Sequence, residues 1–157
     1  MKNSHIQITF EDDSVTVTKE LETSIFENLQ FLLKKTGNQG KILSLFFCTS
    51  ETVKSLNKTY RDKDQVTDIL SWLYDDNEIE GPCKEEPWGE LAICLDVCKR
   101  QAEEAGLTLK TELLRLLVHG LAHLMGYDHE ISLEEEKEML KFEMDLLSSI
   151  NLDGIYK

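Results

Sequence analysis

The stretch from Thr108 to Gly126 constrains this chain more than any other. It carries Leu113, Leu114, Leu116, Leu117, Leu121 and Leu124, which together cover most of a helical circumference. A helix without a continuous polar face has to be enclosed by other elements, so this one is the buried central helix of the fold. Thr108 caps it, with Thr111 and Glu112 near its start, and Gly126 ends it. The chain has 157 residues, and a domain of that size buries about 70% of its extended-chain surface, enough to surround such a helix.

The enclosing elements follow from periodicity. Ile6 to Phe10 alternates as a half-buried strand, Glu11 to Ser14 is a turn, and Val15 to Thr18 extends the strand or leads into a helix. From about Lys19, Leu21, Ile25, Leu29, Leu32 and Leu33 recur at helical spacing until Gly37 and Gly40. Ile42 to Cys48 is a continuous apolar run, as expected of a central strand. Ser50 caps a short helix through Leu56 and Tyr60, and a polar loop runs from Arg61 to Gln65. Thr67 to Leu73 and Gly89 to Leu95 read as strands, followed by a short helix to Ala105 that Gly106 closes. Ser132 and Glu135 form a capping box for a last helix to about Ser149. The expectation is one α+β domain over residues 1–157, with about five helices packed over a mixed sheet of about four strands.

Three of the four histidines lie at the end of the central helix, in His119-Gly-Leu-Ala-His123-Leu-Met-Gly126-Tyr-Asp-His129. His119 and His123 are four apart and project from one helix face. Gly126 can take positive φ, so the chain turns back and His129 arrives from the other side. A lone histidine on an apolar helix is ordinarily a core residue bonded to a carbonyl. Three within eleven residues, two of them among leucines, form instead a site for one divalent metal, read as zinc. Three neutral imidazoles leave the ion its full charge and one open position, suited to polarising an oxyanion or acidifying a water. A structural zinc has four protein ligands, and no cysteine adjoins the cluster in sequence, although Cys94 or Cys98 can approach in space. His5 reads as a surface residue.

The spacing matches the H-E-x-x-H-x-x-G-x-x-H pattern of metzincin proteases at every fixed position but one. Gly120 stands where those enzymes carry the glutamate base, and no Met-turn follows, since Met139 and Met144 belong to the last helix. Amide hydrolysis therefore lacks its usual proton acceptor. A phosphodiester fits better, because its charged oxygens can ligate the metal while an arginine neutralises the transition state.

The formal net charge of −13 argues against a polyanionic partner, yet the excess is local. Residues 75–90 carry −6 and residues 130–145 carry −5, which leaves little acidity elsewhere. Lys54, Lys58, Arg61 and Lys63 fall within ten residues that hold one acid, Asp62. A nucleic-acid substrate is therefore compatible, provided this basic segment and the metal share one face. The cysteines Cys48, Cys83, Cys94 and Cys98 are too irregular for a disulfide framework and read as reduced. There is no signal-peptide pattern and no apolar run of membrane-spanning length, so a soluble cytoplasmic protein without a membrane partner is expected.

The histidine block His119-Gly-x-x-His123-Leu-x-Gly126-Tyr127-Asp128-His129 resembles the signature of the YbeY family of bacterial ribosomal-RNA maturation factors and endoribonucleases. A second block, Leu56-Asn57-Lys58-x-Tyr60-Arg61-x-x-Asp64-x-x-Thr67-Asp68-x-Leu70-Ser71, resembles the family's other recurrent stretch. Gly89-Glu90-x-x-Ile93 follows its Gly-Asp-x-x-Ile, with glutamate for aspartate, and Val66 replaces the usual proline. The resemblance implies metal ligation by His119, His123 and His129, and a functional Arg61 facing the metal cleft. It also implies single-strand-specific cleavage of ribosomal RNA, in small-subunit 3′-end maturation and ribosome quality control, with the small ribosomal subunit as partner. A metzincin-like metalloprotease and a non-catalytic ribosome assembly factor with a structural metal are the competing readings. Asp64 and Asp68 are placed to orient Arg61 or a water, or to serve as turn and cap residues; Asp128 shapes the turn or supports a ligand histidine.

Overall fold

A computed structural model describes residues 5–74, 87–128 and 132–152. Four strands, β1 (Ile6–Phe10), β2 (Leu43–Cys48), β3 (Ile69–Leu73) and β4 (Gly89–Cys94), form one mixed sheet in the order β1-β2-β4-β3. β1, β2 and β4 run parallel, and β3 pairs antiparallel with β4. Among the described residues five α-helices accompany them: α1 (Lys19–Lys35), α2 (Ser50–Arg61), α3 (Leu95–Ala105), α4 (Leu109–Leu124) and α5 (Leu133–Ser149).

The apolar run of β2 is explained by cover on both faces. Leu43, Leu45 and Phe47 pack with Leu91 and Ile93 of β4 into the main core, shared with α1, α4 and α5. Cys48 joins Leu70, Trp72, Ala92 and Cys94 in a smaller cluster under Val53 of α2 and Val97 of α3. Side chains alternate along a strand, so a strand covered on both faces loses the alternation of polar residues. The described residues thus form three layers, helices on either side of one sheet; the expected mixed sheet of about four strands with about five helices is found, and its cover on both faces is an addition to that expectation.

The predicted central helix is α4. Leu113, Leu116, Leu117, Val118, Leu121 and Ala122 are all buried, and the helix packs against β3, β4, α1, α3 and α5. Thr108 accepts a hydrogen bond from the Thr111 amide, and Ser132 accepts one from the Glu135 amide at the start of α5. Two local readings change. Thr49, not Ser50, caps α2 by accepting from the Thr52 amide, with the Glu11 carboxylate also accepting from the Thr49 amide and hydroxyl. Arg61 is the last residue of α2 and not the start of a loop; Asp62 takes left-handed φ, 58°, to end the helix. After β1 a 3-10 turn, Asp13–Val15, follows, and the next residues lead into α1 with Thr18 as its cap, the second of the two readings given for that stretch.

Candidate metal centre and its cleft

α4 delivers two imidazoles to one point. His119 and His123 lie one turn apart with their rings nearly perpendicular, at 86°, and their Nε2 atoms 3.2 Å apart. Two nitrogens each bound at about 2.0–2.1 Å to one tetrahedral ion stand about 3.3 Å apart. The pair therefore has the spacing of adjacent zinc ligands without rearrangement, and the residues present fit a divalent metal.

The helix ends just past the pair, for a backbone reason. Gly126 has φ 96°; its amide donates to the His123 carbonyl, and the Tyr127 amide donates to the Ala122 carbonyl. These two bonds form a Schellman closure, which needs a residue in the left-handed region where a Cβ is disfavoured. Tyr127 then stacks on Phe142 of α5, with centroids 4.5 Å apart, which holds the returning chain against that helix. The predicted third ligand, His129, lies outside the described residues. Among the described residues no third histidine, cysteine, aspartate or glutamate completes a ligand set. Cys94 and Cys98 therefore do not join the pair; burial pushes the Cys48 and Cys98 thiols up to about 12, so both stay protonated at neutral pH. Cys83 also lies outside the described residues.

Behind His119 stands a residue that sequence reasoning missed. Glu143 of α5 is 4% exposed, and its Oε2 lies 2.7 Å from Nδ1 of His119. The signal was present: Glu143 falls in the apolar stripe of α5 between Met139 and Leu146, where a carboxylate is out of place unless it has a partner.

The histidines open onto a cleft of about 560 Å³, whose lining includes Arg61, Lys63, Asp68, Ser71 and Asp128. Arg61 and Lys63 of the basic segment thus share one face with the histidine pair, whereas Lys54 and Lys58 do not line the cleft. Arg61 is fixed at the end of α2: its guanidinium donates to the carbonyls of Tyr60 and Ser71 and lies over the Trp72 ring, 5.5 Å from the centroid. Partial enclosure lowers its pKa from the ordinary arginine value, through loss of solvation. Arginine stays cationic at neutral pH all the same. Asp68 does not orient Arg61. Its carboxylate accepts from the Ile69 amide and from Gln101, and Gln101 also donates to the buried Glu112, which is forked to Arg115 at 2.9 and 2.6 Å. This chain of polar contacts ties the cleft wall to α3 and α4. Asn57, itself buried, donates to the Gln65 carbonyl and pins the loop that carries Lys63.

Gly120 sits where α4 packs tightly on side chains of the sheet. A Cβ there would lie 2.8 Å from Leu91 Cδ2 and 3.0 Å from Ile69 Cδ1. A glutamate at this position would have to displace core side chains, so packing as well as chemistry separates this helix from that of the metzincins.

The model of the endoribonuclease YbeY family matches residues 7–151. The endoribonuclease YbeY of Ureaplasma urealyticum serovar 10 is 36% identical over 135 residues, covering 85% of this chain and 84% of its own. That of Halalkalibacterium halodurans is 36% identical over 160 residues, covering 94% and 98%. Among solved structures, the solution structure of TM1509 from Thermotoga maritima superposes with a TM-score of 0.55 at 24% identity, covering 97% of this chain and 95% of that one. This last likeness concerns the fold alone.

Proposed function

The chain belongs to the endoribonuclease YbeY family, and on that premise we propose that it is a metal-dependent endoribonuclease that cuts single-stranded RNA in ribosomal-RNA maturation. The observation that carries the chemistry is the 3.2 Å approach of the two Nε2 atoms in a cleft that also holds the Arg61 guanidinium. In this reading His119, His123 and His129 hold one divalent metal, zinc by the character of an all-imidazole set. When bound, the metal supplies Lewis acidity toward a phosphoryl oxygen or a water.

The chain's own residues do the rest. Arg61 offers a planar fork to a phosphate, held in place by Trp72 and the Ser71 carbonyl, so little freedom is lost when substrate arrives. Lys63 adds a second cation to the same wall and attracts the flanking backbone. The protease alternative is not favoured: Gly120 provides no base, and a Cβ there would press on the ends of the Leu91 and Ile69 side chains. The family also disfavours a purely structural metal in a non-catalytic assembly factor. We further read residues 1–157 as one domain acting in the cytoplasm on the 3′ end of small-subunit ribosomal RNA, with the small subunit as partner and a role in ribosome quality control. Among the described residues no helix is long and apolar enough to cross a membrane.

The test is cleavage by purified protein of a single-stranded RNA and of the same sequence in a duplex. The single strand is expected to be cut, the duplex spared, and the activity lost to a chelator and restored by zinc. Cleavage that ignores the chelator, or digestion of an unstructured protein in place of RNA, contradicts the proposal. The product ends identify the nucleophile, since a 2′,3′-cyclic phosphate marks attack by the ribose 2′-hydroxyl.

A further inference from the structure

Glu143 is costly as a purely structural residue. It is 4% exposed, on the face of α5 that also buries Met139, Leu146 and Leu147. Taking a carboxylate out of water costs several kcal/mol, and an apolar side chain of similar size in its place is often neutral or stabilising. Stability alone does not account for it.

Its geometry does. An ionised Glu143 can only accept a hydrogen bond, and across the 2.7 Å contact it therefore calls for a hydrogen on Nδ1 of His119. That leaves the lone pair on Nε2, the atom that faces Nε2 of His123 at 3.2 Å. A free imidazole in water prefers the opposite tautomer, with hydrogen on Nε2, which cannot ligate through that atom. We propose that Glu143 is a positioning residue: from a different helix it locks the ring orientation and tautomer of His119 and raises the basicity of the ligating nitrogen. The inference rests on the metal reading above and extends the site from α4 to α5. Packing of α5 and metal affinity are then linked through one hydrogen bond.

The test compares wild type with Glu143→Leu and Glu143→Gln in the full chain, using zinc competition against a chromophoric chelator, 15N imidazole shifts of the metal-free protein, and thermal melts in chelator. Glu143→Leu is expected to bind zinc about 10–100-fold more weakly, with His119 no longer held as the Nδ1–H tautomer and the metal-free midpoint not lowered. Glu143→Gln keeps volume and an acceptor oxygen. It should retain the tautomer and lose about tenfold in affinity, and if Glu143→Leu does not fold, an affinity of Glu143→Gln within twofold of wild type overturns the inference by itself. Zinc affinity within twofold of wild type in both variants overturns the inference, as does a drop in metal-free stability with affinity unchanged. A wild-type chain that binds no zinc overturns the metal reading along with it, so the two failures are distinguishable.

Discussion

In the proposed function, Arg61 is a single side chain held ready for a charged substrate. Its guanidinium is held by two carbonyls and an indole face, contacts that need a planar, multiply donating cation. Arg61→Lys keeps the charge and loses the fork and the stacking. It is expected to lower single-turnover RNA cleavage about tenfold or more, and Arg61→Ala about 10²-fold, with thermal stability nearly unchanged because the residue is exposed. Cleavage by Arg61→Lys at the wild-type rate contradicts the role. The residue was identifiable only by resemblance: its one sequence-level trait is a place among Lys54, Lys58 and Lys63, and a basic surface helix looks the same whether or not it faces a cleft.

Among the elements, α4 was the most legible. Its leucines required enclosure, its histidines shared a face, and Gly126 marked its end; all three depend on local spacing along one helix. Gly126→Ala places a Cβ at φ 96° and disrupts the Schellman closure. A loss of about 1 kcal/mol or more in unfolding free energy is expected by denaturant titration, and zinc affinity should fall with it, because the turn directs the chain toward His129. An unchanged midpoint contradicts this account of the turn. What α4 could not disclose was its relation to other elements. The contact from Glu143 spans 24 positions along the chain, and the approach of Gly120 to Leu91 and Ile69 is set by sheet packing. Neither leaves a periodic trace, although a glutamate in the apolar stripe of α5 was a usable hint. The Ser50 cap went to Thr49 because adjacent hydroxyl residues compete for one position, and only tertiary contact with Glu11 distinguishes them.

For the whole molecule, a single sheet covered on both faces brings the ends of α2 and α4 to one cleft. That arrangement reconciles an acidic chain with a polyanionic substrate, because Arg61 at the end of α2 and Lys63 in the following loop line the same cleft as His119 and His123, while much of the acid lies in other segments. In the proposed function the three histidines hold one catalytic metal. The most direct measurement is metal content per chain by mass spectrometry, paired with RNA cleavage, for wild type, His123→Ala and His129→Ala. One metal per wild-type chain is predicted, with both metal and cleavage lost in each variant. Either variant retaining full metal and full cleavage contradicts the account.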